Sequence, residues 1–243
     1  FESSQNVMGK KVVIDPVPIR LWGTYYGGEK SETPYDIFVK DGFTYLSGIT
    51  YSINNIASAD AHQSTLISAG SSDSFFAKLN PDGTRVWGTY YGGERDDKIR
   101  QIKVSNNDNI YITGSTLSNQ NIATPGSHQA ISGNIPPMAT WNGFLAKFDT
   151  NGIRQWGTYY GEFGTDEIYC LVIDSDEKIY IAGETNSPAN ISTNESFQPN
   201  LDSSNPGIYG IPNDGFIAKF NSNGVLEWGT YFGGGGSDAI FDS

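Results

Sequence analysis

The chain is poor in the residues that most often carry chemistry. Its 243 residues include one cysteine, two histidines and two methionines. The lone thiol, Cys170, has no partner for an internal disulfide and does not identify a redox compartment. No run of about 18 apolar residues is present, so no helical membrane span is expected. No charged-then-apolar leader precedes Phe1; if the protein is exported, its signal lies outside this segment. Cations are scarce too: 15 Lys and Arg stand against 27 Asp and Glu, a net charge of −12 with a pI near 4.4. A surface of that sign disfavours nucleic acid and anionic lipid, both of which demand a basic patch. Nucleophile-elbow, paired-histidine zinc, Cys-x-x-Cys, phosphate-loop and EF-hand spacings are all missing. The sequence calls for no cofactor and shows no catalytic residue.

What the chain does have is glycine, at 29 residues, and 13% aromatics, the balance of an all-β repeat protein. One stretch organises the rest. Trp22-Gly-Thr-Tyr-Tyr-Gly-Gly28 returns at Trp87, Trp156 and Trp228, spaced 65, 69 and 72 residues apart. Its Trp, Thr and Tyr alternate about an extended chain that ends in glycines, which reads as a strand running into a turn. Upstream of each later copy lies a second signature: Phe75 to Gly83, Phe144 to Gly152 and Phe216 to Gly224. An Asn or Asp followed by a closing Gly makes each of these a hairpin whose second arm is the Trp strand. Downstream, Ile99–Val104 and Ile110–Gly114 flank the polar turn 105–109, and Ile168–Ile173 and Ile179–Gly183 flank 174–178. Four strands per unit in a simple meander is the content of a propeller blade.

The ordered motifs WGTYYGG, D-x-I, IY-I-T-G-x-T, TPG-x-HQ and D-x-F-x-A-K-F resemble the bacterial SBBP repeat, the "seven-bladed β-propeller" family, over about residues 20–243. Pro34 in the first repeat and Phe197 in place of a histidine in the third depart from that pattern. The resemblance implies a secreted or surface-exposed propeller of a larger bacterial protein, with no reaction assigned to the repeat. Similar segments occur in cargo of the type IX secretion route of Bacteroidetes, which adds the secretion machinery as an implied partner. The expected organisation is an extended arm over 1–19, where Pro16 and Pro18 exclude a helix, followed by repeats over 20–243. Blades are placed at about 29–93, 94–161 and 162–234, with lone strands at 20–28 and 235–243. Three blades fall short of the four to eight that close a ring, so a larger, about seven-bladed propeller is expected.

Recurrence separates scaffold from site. Trp22, Trp87, Trp156 and Trp228 are assigned a structural role, with the last three expected to be buried between blades. His62 and His128 share a slot that the third repeat fills with Phe197, which argues for packing and against a catalytic base. Asp97, Asp166 and Asp238, with Glu32 as counterpart, precede each first strand. They are read as caps of the Gly-Gly turns; the alternative is a ring of carboxylates holding a hard cation at one channel mouth. The segments from Thr50 to Asp73, Thr116 to Asn142 and Thr185 to Asp214 are long and differ, and carry Ile135, Met138, Trp141, Ile208, Tyr209 and Ile211 as candidate ligand-binding residues. Two functions remain: a non-enzymatic surface scaffold or adhesion module taking a protein or glycan at this loop end, or a carbohydrate-active lyase or glycosidase. The second needs paired carboxylates in one cleft, for which Glu162, Glu195 and Asp202 are scattered candidates. Asn190 and Asn194 head two glycosylation sequons.

Overall fold

A computed structural model describes residues 20–67, 70–134, 139–202 and 213–241. Among the described residues, twelve strands form three separate four-stranded antiparallel sheets, each paired in simple chain order. The first sheet is β1 (Glu32–Lys40), β2 (Phe43–Thr50), β3 (Asp73–Leu79) and β4 (Arg85–Tyr91). The second is β5 (Asp97–Val104), β6 (Ile110–Thr116), β7 (Asn142–Phe148) and β8 (Arg154–Tyr160). The third is β9 (Asp166–Ile173), β10 (Ile179–Thr185), β11 (Asp214–Phe220) and β12 (Leu226–Phe232). The expected meander is therefore present, with three sheets of propeller-blade type.

Turn chemistry sets where strands end. In the β7–β8 turn, Asp149 Oδ1 accepts the backbone N–H of Asn151 at 2.9 Å and of Ile153 at 3.0 Å, and Gly152 takes φ +76°. An L side chain rarely adopts that backbone, so the closing glycine is required there. Asn221 and Gly224 build the same turn between β11 and β12.

The apolar cores lie between the blades. One joins Tyr45, Phe76 and Tyr91 to Ile99, Ile102, Phe144 and Phe148; a second joins Tyr111, Leu145 and Tyr160 to Ile168, Leu171, Phe216 and Phe220. The repeated Tyr-Tyr pair locks each seam. Its first member reaches its own blade's long loop: Tyr90, Tyr159 and Tyr231 donate to the carbonyls of Ser52, Ser118 and Ser187 at 2.7–3.0 Å. Its second member crosses to the next blade: Tyr26, Tyr91 and Tyr160 donate to the carbonyls of Ile56, Ile122 and Ile191 at 2.5–2.8 Å. This crossing explains the glycine of the motif, because a Cβ on Gly229 would stand 2.7 Å from the Tyr160 hydroxyl.

Two expectations are corrected. The tryptophans do sit at the seams, but they are not buried: Trp87 and Trp156 are half-buried, while Trp22 and Trp228 are 39% and 38% exposed. Each of the first three lies over the turn glycine of the next blade, Gly83, Gly152 or Gly224, and the Trp87 and Trp156 Nε1–H groups donate to the Thr150 and Ser222 carbonyls. They are lids at the rim, and the tyrosines fill the interior. Nor are 20–28 and 235–241 strands. A ladder needs a partner, and no described strand pairs with either segment. They still follow the repeat, through Tyr26 at one end and, at the other, the Asp238 N–H that bonds to the Asn213 carbonyl at 2.7 Å. The arm expected over 1–19 lies outside the described residues.

Tyr160→Ala is expected to cost about 3–5 kcal/mol of unfolding free energy. Trp156→Ala should cost less, and Trp228→Ala about 1 kcal/mol or less, as for a surface position. Denaturant midpoints of the three variants check the ranking, and an equal or larger loss at Trp228 would reverse it.

Candidate functional site

The recurring acids begin at the seam. Asp97 and Asp166 are the first residues of β5 and β9 and are fully buried, so they lie inside the strands and not before them as expected. Asp97 Oδ2 accepts the Gly93 N–H at 2.8 Å and the Ser118 hydroxyl at 3.0 Å, while Oδ1 meets the Thr116 hydroxyl. Asp166 repeats the set with Ser187 at 2.8 Å and with Thr185. Glu32 takes Thr50 at 2.9 Å and Ser52 at 2.5 Å, and Asp238 accepts the Gly234 N–H at 2.8 Å. The turn-cap reading describes Asp97 and Asp238, each of which accepts a turn glycine N–H, whereas Glu32 holds two hydroxyls instead. Both carboxyl oxygens of Asp97 and of Asp166 are occupied by protein donors, and no group of three or more His, Cys, Asp or Glu suited to a metal occurs among the described residues. The hydroxyl pair was overlooked in the sequence although it recurs there as Thr50-x-Ser52, Thr116-x-Ser118 and Thr185-x-Ser187.

Burial dominates the electrostatics of these acids. It pushes the Asp97 carboxyl up to about 8 and the Asp166 carboxyl to about 7, against the hydrogen bonds that favour the charged form. The Asp73 carboxylate across the seam adds to the rise at Asp97. The histidines are packing groups: His62 stands edge-on to Phe148 at 5.4 Å and His128 to Phe220 at 5.6 Å, both in the next blade. Burial, and secondarily Arg154, lowers the His62 pKa to about 4, which suits a neutral ring. Phe197 fills the third slot but is 81% exposed, and its nearest ring is Phe232 of its own blade.

The first strand of each blade also carries a feature that was not read from the sequence. Register shifts put a β-bulge at Tyr35 in β1, Arg100 in β5 and Tyr169 in β9. A bulge bends the strand and re-aims a side chain. The three line up across the blades: the Arg100 guanidinium lies 5.2 Å from the Tyr35 ring and 5.6 Å from the Tyr169 ring, and Phe241, at the same repeat position, stacks on Tyr169 at 4.7 Å. Arg100 pairs with Glu167 at 2.9 Å, Tyr169 donates to Glu184 at 2.8 Å, and the buried Arg100 Nε has no hydrogen-bond partner. The next residue along ties the inner strands together. Asp36 accepts the Ile102 N–H at 2.9 Å and Gln101 the Leu171 N–H at 2.6 Å, while the Cys170 thiol faces the Ile240 carbonyl at 3.5 Å. Cys170 thus ties β9 to the segment that holds Ile240, as well as packing. These bonds cap backbone donors that a free inner edge would otherwise present.

Of the candidate loop residues, Trp141 is half-buried, with Lys98 Nζ 3.9 Å from its ring centroid and its carbonyl accepting the Asp166 N–H. Ile135, Met138, Ile208, Tyr209 and Ile211 lie outside the described residues. The proposed acid candidates fall on two segments, after β8 and in the β10–β11 loop. Glu162 follows β8, Glu195 lines a groove with Phe197 and Trp228, and the Asp202 N–H bonds to Asp214.

An all-β chain of three four-stranded antiparallel meanders, packed face to face through aromatic seams, is built as propeller blades are built. A family model described as "SBBP: Beta-propeller repeat" matches residues 86–120, the stretch from β4 through β5 and β6. No curated protein matches the chain.

The raised acids favour the protonated fold, so their contribution to stability is full below the ordinary Asp value of 3.8 and is lost as pH rises through about 7 to 8. The melting temperature is expected to fall between about pH 5 and pH 8.5, and Asp97→Asn should flatten that slope. A melting temperature that rises over the same range would contradict the assignment. Chelator treatment is expected to leave the transition unchanged, whereas a drop restored by Ca²⁺ would return the carboxylate ring to consideration.

Proposed function

We propose that the chain is a non-enzymatic binding scaffold, a run of blades from a secreted or cell-surface bacterial protein such as an adhesin or a type IX secretion cargo. One observation carries this reading: the polar groups that recur from blade to blade are engaged in holding the blades. The seam acids cap turns, the tyrosine hydroxyls bridge blades, and the histidines pack against the neighbouring phenylalanines. Variation is left to the β2–β3, β6–β7 and β10–β11 loops, and loops on a rigid frame are where binding is commonly placed. The partner is a protein or a glycan met at that end, with no nucleic acid and no membrane insertion. The alternative, a lyase or glycosidase, would need two carboxylates sharing a cleft, with Glu162 after β8 and Glu195 and Asp202 in the β10–β11 loop as its candidates.

The same reading places these blades in a larger ring of about seven. Its support is the outer face of the third blade, where Trp228, Phe232 and Phe197 are exposed at the positions that the following blade covers in the second. The first blade likewise exposes Ile37 and Val39, whose counterparts Ile102 and Val104 are buried.

Shortening 131–141 and 199–212 to the length of the first repeat's loop is expected to abolish partner binding and leave the melting temperature within a few degrees. Pull-down from surface extracts with intact and shortened protein reads this. Retained binding, with loss on substitution in the short turns 105–109 or 149–152, would place the partner at the opposite end.

A further inference from the structure

The first and third blades break the repeat at their uncovered faces, and the breaks answer one another. On the third blade Phe232 stands where Tyr91 and Tyr160 stand, without the hydroxyl that crosses to a neighbour. Phe197 stands where His62 and His128 pack on Phe148 and Phe220. A blade seated there must satisfy its own loop carbonyl and offer something smaller than Phe. Of the three described blades, the first alone combines the two. Its Arg85 donates to the Asn55 carbonyl at 2.9 Å and the Ile56 carbonyl at 3.3 Å, and its β3 ends in Leu79 where β7 and β11 end in Phe. The second blade has Arg154 but ends β7 in Phe148; the third has Leu226 at the arginine position. Phe on Leu in place of His on Phe keeps the total volume, the exchange that packed interiors tolerate best.

We propose that the third blade docks on the first blade of a second copy of this chain, and that two copies close head to tail into one ring of six blades. Six lies within the four to eight that close a ring. The inference rests on the larger-ring reading and names what supplies the missing blades. Its interface repeats the seam already formed twice within the chain. Trp228 would lie over Gly83 as Trp87 and Trp156 lie over Gly152 and Gly224. Phe197 and Phe232, 81% and 53% exposed, would be covered, and so would Ile37 and Val39 at 65% and 62%; that burial drives association.

Residues 20–28 hold the first blade's share of this seam with the same motif, Trp22 lying against Gly83 and Tyr26 donating to Ile56. They pair with no described strand, whereas β12 carries the motif as part of a sheet. The incoming β12 therefore displaces 20–28, and β1 takes the place of 235–241. Release uncovers little, because Leu21 and Tyr25 are already exposed.

Sedimentation and light scattering from micromolar to millimolar protein test the proposal, with a mass of twice 26.4 kDa expected. Phe232→Ser and Phe197→Asp, at exposed positions, should each weaken the dimer tenfold or more and leave the melting temperature of the single chain unchanged. Phe232→Tyr should tighten it, since the new hydroxyl reaches the Ile56 carbonyl of the other copy. Leu79→Phe should weaken it, and adding Phe197→His should restore it. Growth beyond two chains, or a dimer indifferent to Phe232→Ser and Phe197→Asp, would overturn the proposal. A single-chain mass at millimolar protein would do so too, and a hydrophobic dye then separates the readings. Dye binding that Phe197→Asp abolishes would sink the second copy and leave the larger ring standing, whereas no dye binding would sink both.

Discussion

Everything in the described structure depends on a tyrosine hydroxyl that leaves its own blade. Tyr26, Tyr91 and Tyr160 each pass through a gap held open by a glycine and donate to an isoleucine carbonyl of the next blade. A buried carbonyl without a partner costs about 1–3 kcal/mol, so the bond punishes any slippage between blades as well as adding area. Arg85 and Arg154 donate to two of the same carbonyls, at 3.3 Å on Ile56 and 3.1 Å on Ile122. The third blade has Leu226 at that position, and there the tyrosine acts alone.

The seams also explain why an acidic protein buries carboxyl groups. Three or more donors converge on each of Asp97 and Asp166 where a strand begins and a glycine turn ends, and burial keeps the proton close. Asn142 stands in the second blade where Asp73 and Asp214 stand in the other two. An amide there avoids placing a second carboxylate beside Asp166, the like-charge cost that Asp73 imposes on Asp97.

Fixed and variable positions are divided along the repeat. Positions that face a neighbouring blade are fixed by shape, because interiors pack at crystal-like density and tolerate little change. The long loops meet a neighbouring blade at a few fixed points, the Ile122 and Ile191 carbonyls and the His62 and His128 rings among them, and differ in length and sequence elsewhere. Variation is concentrated in the β2–β3, β6–β7 and β10–β11 loops.

The twelve strands and their order were legible in the sequence because each rests on local physics: alternation, turn residues at fixed offsets, and a period that exposes both. The cap role of Asp97 was legible for the same reason, its glycines being four residues away. The bulge left only a trace, the spacing of three between the buried Ile99 and Ile102 where a regular strand would space them by two. What only the tertiary structure decided is which side of each motif meets the next blade. Trp and Tyr of one strand are equally apolar on paper, and it is the approach of the neighbouring sheet that buries Tyr160 and leaves Trp156 at the rim. Proton affinity was settled the same way, since a carboxyl titrates according to the solvent and charges around it, and those arrive only when two blades close on one another.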